Sequence, residues 1–421
     1  MIQFLLKGIL RDHSRSLFPL LTVAAGAFLI VLANGWVDGA RNDMLWVNAI
    51  FSTGHVKVMT NAYAKDIDLV PNDLAILGAD SLLENLKASY PNMIWSPRIK
   101  FGGLLDIPDA AGETRAQTIV AGLALPLTSG RDVELLGIDD AIVRGRIPAA
   151  PNELIISQTL ANQLNVSVGD TATLVSSTMY GSLTMHNFVI AATIHFGVLA
   201  MDRSTIIANL PDIRVALDMD DAAGEILGFF PDFLYHDERA DHMAAAFTAA
   251  QEETDEFALQ MLPLVEQRGL RSLITMMDSM GGVLMTVFIF AMAIVLWNAG
   301  LMGSLRRYGE IGLRLAVGEK KGHVYRSLLA ESILVGIGGA ILGTIFGLAA
   351  TYYLQVHGID ISSSMKNTSM MLSNVIRAQI TPASFYVGLI PGIVAPLLGT
   401  SISGIAIYKR ETAQLFKELE V

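Results

Sequence analysis

A chain of 421 residues that is 52% hydrophobic but only 16% charged, with a formal net charge of −11, departs from the roughly 25% charge of a soluble domain. The acidity argues against nucleic-acid binding, which needs a basic face. The lack of cysteine excludes disulfides, thiolate catalysis and Cys-ligated metal.

In chain order, Ile2, Phe4, Leu5, Leu6, Ile9 and Leu10 alternate with Gln3, Lys7 and Arg11, which predicts an amphipathic helix over 1–15 lying in a membrane surface. Residues 16–37 then carry no Asp, Glu, Lys or Arg over 22 positions, and a bilayer core needs about 20 apolar helical residues. The run exceeds the roughly 7–15 apolar residues of a signal peptide, so it reads as a retained first span. Similar uncharged runs of 27, 28 and 31 residues occupy 279–305, 332–359 and 378–408. They predict a second span at 279–305, a third at 332–358 and a fourth at 380–408.

Residues 38–278, between the first and second spans, hold 32 acidic and 15 basic residues, while the rest of the chain is net +6. Asp38 to Phe51 continues the first span as a stalk helix, and 253–277 reads as a second stalk despite Pro263. Between them, helices are predicted at 81–89, 211–217 and 238–256. Strands are predicted at 53–58, 94–105, 117–122, 171–176, 188–194 and 202–208, with a hairpin tip at 180–184. The outer part is therefore an α+β domain. His236 and His242 stand six apart, about 600° around a helix, so they do not converge on a metal.

Basic residues set topology in membrane proteins. Lys7, Arg11 and Arg15, then Arg306, Arg307, Arg314, Lys320, Lys321 and Arg326, then Lys409, Arg410 and Lys417 all fall on one side of four spans. The short loop at 359–379 has only Lys366 and Arg377. Both termini, the loop at 306–331 and the tail at 409–421 are therefore expected in the cytoplasm, with 38–278 outside. Trp36, Tyr352, Tyr353 and Tyr386 would mark the outer interface, and Trp297 and Tyr408 the inner one. No Asp, Glu, Lys or Arg falls within the spans and His357 lies at the outer end of the third, which argues against an ion-coupled carrier, because such groups mark ion paths.

The third span carries Gly339, Gly343 and Gly347 on one helix face, a small-residue stripe that lets another helix approach. In the fourth span, Pro391 and Pro396 should bend the helix. No G-x-x-x-x-G-K-[ST], G-x-S-x-G or H-E-x-x-H occurs, so no catalytic, cofactor-binding or metal residue is assigned and the chain is not read as an enzyme.

Between the second and third spans, Arg306, Arg307, Glu310, Ile311, Gly312, Leu313, Arg314, Leu315 and Gly318 make a short amphipathic segment with a glycine stop. Arg307, Glu310, Ile311, Gly312, Arg314, Ala316, Val317 and Gly318 resemble the signature of FtsX-like ABC transporter permeases, the group of MacB, LolC and LolE. Leu315 stands as an extra residue before the alanine. The stretch 151–176 resembles the strand–helix–turn of the LolE-like branch.

The resemblance implies a MacB-like periplasmic domain of two subdomains, the second inserted at about 123–195. It implies a bacterial inner-membrane subunit whose loop docks on a cytoplasmic ATPase dimer, with ATP and Mg held by that partner. Arg306, Arg307, Glu310 and Arg314 would pair with the ATPase, while Ile311, Leu313 and Leu315 fill a groove on it. A second permease copy or paralogue, membrane lipids and a periplasmic lipoprotein or its carrier complete the implied partners. Lipoprotein release is the implied function; export of amphiphiles, peptides or lipids, or a regulatory scaffold for a cell-wall hydrolase, are alternatives.

Overall fold

The computed structural model describes residues 13–109, 111–129, 131–197, 199–251, 255–267, 269–305, 308–360 and 375–409. The helix expected over 1–15 and the tail at 409–421 fall almost entirely outside these residues, as does most of the loop at 359–379. The chain divides into two units. One comprises Met1–Arg41, Thr275–Ile359 and Ile376–Val421; the other comprises Asn42–Ile274 and Asp360–Val375.

Among the described residues of the first unit, the main helices are α1 (His13–Asn48), α2 (Leu270–Leu305), the short α3 (Tyr308–Ala316), α4 (Lys321–His357) and α5 (Leu389–Lys409). The bounds of α1 and α2 run a few residues into the other unit. All four long helices contain stretches apolar enough to cross a bilayer. Such helices satisfy every backbone donor and acceptor internally, as a lipid solvent demands.

Two sequence expectations change here. α4 begins at Lys321, eleven residues before the charge-free run at 332–359, so the loop preceding it is shorter than 306–331. α5 begins only at Leu389, because Thr381 and Ser384 cap each other reciprocally at the start of a 3₁₀ turn, Pro382–Phe385. Pro391 consequently falls in the first turn of α5, where no intrahelical donor is needed, and only Pro396 lies inside the helix.

The second unit is built on nine principal strands. They are β1 (Val56–Thr60), β2 (Ile94–Pro108), β3 (Thr114–Leu125), β4 (Glu153–Ser157), β5 (Thr171–Ser177), β6 (Leu183–Ile194), β7 (Thr205–Asn209), β8 (Glu225–Phe229) and β9 (Leu259–Pro263). β2 is long enough to serve two sheets. Its first half pairs with β8, which pairs with β1, which pairs with β9, all antiparallel. Its second half pairs with β3 on one side and β5 on the other.

From there the pairings β3–β7, β7–β4, β4–β6 and β6–β5 close a ring, so six strands form a barrel without free edges. Alternate residues point inward, as the two-residue period of a strand requires. Ile99, Phe101, Leu105, Leu174, Phe188 and Ile206 meet inside. Gly122, paired opposite Phe101 on β3, lets the Phe101 ring lie over that strand, since a Cβ there would lie 2.0 Å from the ring.

Several expectations from sequence are overturned. Among the described residues of 253–277 there is no single continuous helix: Leu259–Pro263 is a strand hydrogen-bonded to β1, Leu264–Glu266 is a 3₁₀ turn, and α2 starts at Leu270. Pro263 lacks the donor a helix interior needs and sits at the strand end instead. The helix expected at 238–256 is Asp237–Ala249. Residues 202–204 belong to a helix, Leu199–Ser204, and the strand begins at Thr205. Residues 123–195 do not stand apart as an insertion, because the barrel also takes in β2, most of β3 and β7.

Candidate functional site: an elbow between two long helices

α3 is nine residues long and ends at a glycine in the left-handed region, Gly318 with φ +96°. The Gly318 amide donates to the Leu315 carbonyl at 3.1 Å and the Glu319 amide to the Arg314 carbonyl at 3.1 Å. That pair of bonds is the Schellman termination, which glycine favours because it carries no Cβ. The turn carries the chain into α4 within a few residues.

Ile311 is 2% exposed and packs on Val324 and Leu328 of α4, with Leu315 against the same cluster. The turn also brings Glu319 back beneath Arg314, whose Nε and Nη2 each lie 2.7 Å from a carboxylate oxygen. The Arg314 guanidinium holds the Glu319 carboxyl below the usual carboxylate range. His323 Nε2 stands 3.6 Å from the same carboxylate.

These contacts correct the sequence reading of the segment. Ile311 and Leu315 are turned toward α4, which takes up the apolar surface of Ile311 and part of that of Leu315. Arg314 already has an intrachain carboxylate. Among the described side chains, the large apolar ones left exposed here are Leu313 of α3 and Val317 just past its end, 56% and 83% exposed and four residues apart. Gly312 is buried and Gly318 exposed. Arg306 and Arg307 lie outside the described residues; Glu310 belongs to α3 by its backbone, and its side chain lies outside them.

Behind the elbow, α4 is seated on α1 through the glycine stripe. A Cβ on Gly343 would lie 2.2 Å from the Ala24 carbonyl oxygen, one on Gly339 2.7 Å from Val23, and one on Gly347 2.8 Å from Val31. Backbone-to-backbone approach of this kind is available only to glycine, and it replaces the hydrophobic effect as the source of helix association in lipid. α5 is close to α2 at Gly399, where a Cβ would lie 2.4 Å from the Trp297 carbonyl oxygen.

At the opposite end of the bundle, the Asp38 carboxylate accepts from Asn34 Nδ2 at 2.9 Å and from Thr381 Oγ1 at 2.8 Å. Gln379 donates its amide to the Gly35 carbonyl at 2.8 Å. Arg41 of α1 reaches Asp278 of α2 at 2.6 Å. Asn34 and Asp38 stand four apart on one helix face, but spacing in the sequence gave no hint of the Thr381–Asp38, Gln379–Gly35 and Arg41–Asp278 pairings, whose partners are more than 200 residues apart.

In the second unit, a crevice of about 670 Å³ opens where β2 leaves β8 for β5, bordered by Asn72, Phe101 and Tyr180. Among the described residues, no group of three His, Asp or Glu is placed to hold a metal.

Residues 282–412 match the family described as FtsX-like permease C-terminal. The matched segment takes in the elbow and the glycine stripe but nothing of the barrel. No curated protein matches the chain. Among solved structures, the periplasmic region of MacB from Actinobacillus actinomycetemcomitans aligns over 52% of this chain and 94% of that one. The identity is 8% and the TM-score 0.35, an overlap too loose to carry an argument.

Proposed function

We propose that this chain is the permease subunit of an ABC transporter, driven by a separate cytoplasmic ATPase that docks on α3. The observation that carries the reading is the elbow itself: a short helix fixed to α4 by Ile311, the Gly318 turn and the Arg314–Glu319 pair, inside the segment that matches the FtsX-like family. A rigid projection transmits a push, whereas a mobile loop absorbs it. Leu313 and Val317 supply the apolar contact that such a partner buries.

In this reading both termini and α3 are cytoplasmic, the four long helices cross the inner membrane, and the barrel unit is periplasmic. The excess of Lys and Arg at 306–326 and the acidity of 38–278 support that orientation. The ATP and Mg are bound by the partner, and the permease works beside a second copy or a paralogue.

The cargo we propose is a lipoprotein taken from the outer leaflet. The reading is supported by the exposed apolar side chains along α2, among them Val283, Leu284, Val287 and Phe290, which offer acyl chains a largely apolar surface; the Thr286 hydroxyl among them is turned onto the Gly282 carbonyl. Crosslinking an acylated protein to Leu284 or Leu29 tests the cargo. Val31 is unsuitable, being buried against Gly347.

The test of the docking role is co-purification. A P-loop ATPase should accompany the wild-type chain, and Leu313→Asp with Val317→Asp should weaken its retention by at least about tenfold, the scale of an interface residue contributing more than 1 kcal/mol. Retention equal to wild type would remove α3 as the dock.

A further inference from the structure

The last carbonyls of a helix have no intrahelical partner, and α1 ends in a wider π-turn, Ala49–Thr53. Side chains from elsewhere in the second unit take these carbonyls. Arg98 Nη1 donates to Ile50 O, and Lys100 Nζ donates to Ser52 O at 3.3 Å. Gln267, only 2% exposed, donates Nε2 to Thr53 O at 3.1 Å. The same nitrogen lies 3.1 Å from Leu262 O and 3.4 Å from Pro263 O.

Three carbonyls thus converge on one amide group, two from the end of β9 and one from the end of α1. Gln267 stands three residues before α2. Around it, Leu45, Ala49 and Ile50 share a buried cluster with Leu264, Leu270 and Ile274. The Leu264 amide adds a bond to the His55 carbonyl at 3.0 Å. Both β9 and the π-turn present oxygen there, and Gln267 is the side chain that joins the two, while Arg98 and Lys100 take the neighbouring carbonyls of the π-turn.

The geometry points to Gln267 as a positioning pin. It locks the exit of α1 to the approach of α2, so that within this unit the two segments move as one body. Apolar packing alone lets helices slide, whereas an amide whose two hydrogens are shared between the Thr53 carbonyl and the Leu262 and Pro263 carbonyls adds direction to the contact. The pin stands apart from the transport reading, which only gives it a use, and it is tested without nucleotide or partner.

The chain has no cysteine, so spin labels can be placed freely on the full-length protein in detergent. One pair is Asn42→Cys with Leu273→Cys; a control pair inside the barrel is Gln117→Cys with Thr171→Cys. Gln267→Met keeps the side-chain length and removes the donors. The pin requires that the 42–273 distance distribution at least double in width while the 117–171 distribution stays as in wild type.

An unchanged 42–273 distribution overturns it. Equal broadening of both pairs also overturns it, since Gln267 would then only support the fold at large. Should Gln267→Met fail to accumulate, Gln267→Asn keeps the amide but withdraws it by one methylene, and the same two comparisons decide.

Discussion

Arg314 and Glu319 close on each other through two hydrogen bonds of 2.7 Å, Nε to Oε2 and Nη2 to Oε1. A bidentate pair fixes orientation as well as distance. Here it braces a turn whose backbone is already set by Gly318, adding to the packing of Ile311 on α4.

Glu319→Gln should therefore leave the protein folded and inserted, because exposed pairs contribute little to stability, yet loosen the brace. The expected result is continued ATP hydrolysis by the partner with reduced dependence on the permease. Reconstituted ATPase and transport assays measure it, and full coupling in the variant would show that the brace is dispensable. Because Arg314 depresses the Glu319 carboxyl, its contribution is present above the ordinary carboxylate pKa. It is lost only as pH falls through the lower folded value, so coupling through this pair should not vary between about pH 8 and 5.

Gly343→Val should disrupt the α1–α4 seam, because the added carbon meets a carbonyl oxygen at 2.2 Å and backbone cannot move aside cheaply. Overpacking costs about 1–3 kcal/mol even where side chains can adjust. Gly282→Ala is the matched control, since nothing lies within 4 Å of the position its Cβ would take. Thermal stability in detergent should drop for the first and hold for the second; parallel behaviour would mean the stripe is not a seam.

The four long helices were legible because a span is declared by composition: an uncharged run of some twenty residues has few other readings. The elbow was legible as an amphipathic segment, but not its facing. Ile311, Leu313 and Leu315 stand two apart, and only the direction taken by α4 after Gly318 decides that the first and third turn inward. The barrel was not legible. Its closure depends on β3 pairing parallel to β7 some eighty residues later, and short strands carry no record of their neighbours. Lys57, Arg98, Lys100 and Glu225 read as ordinary strand residues. Their one signal was charge inside otherwise apolar runs such as Val56–Thr60.

His55 predicts a pH dependence. It is 1% exposed, accepts the Phe230 amide on Nδ1 at 2.9 Å and stacks on the Phe230 ring. Burial lowers its pKa from 6.5 to about 4, against an opposing pull from Asp232. A base whose folded pKa lies below its unfolded value binds fewer protons when folded. Its contribution is complete above pH 6.5 and declines as pH falls toward 4, by up to about 3 kcal/mol. Denaturation of the full chain at about pH 7 and 4.5 should show that loss, and His55→Asn, whose carbonyl can still accept from Phe230, should flatten it. An identical slope in the variant would place the titration elsewhere.

Glu225 titrates in a different window and carries a larger penalty. Its carboxylate is fully buried between Lys57 Nζ at 2.7 Å and Lys100 Nζ at 2.6 Å. Burial alone would raise its pKa, but the two ammonium groups outweigh it and bring the value to about 2. Its contribution is thus present above the ordinary carboxylate pKa and lost only as pH falls toward 2, below the range in which His55 acts. Glu225→Gln leaves Lys57, also fully buried, with an uncompensated charge, and removing one partner of a buried pair costs about 3–5 kcal/mol. The double variant Lys57→Met with Glu225→Leu removes both charges and should recover most of that loss, because well-packed apolar replacements of a buried pair are often neutral. Recovery measured by chemical denaturation would show that the network is not needed for stability and leaves its position under the end of α1 as its remaining role. Failure to recover would mean that Lys100, left without its carboxylate, depends on Glu225 as much as Lys57 does.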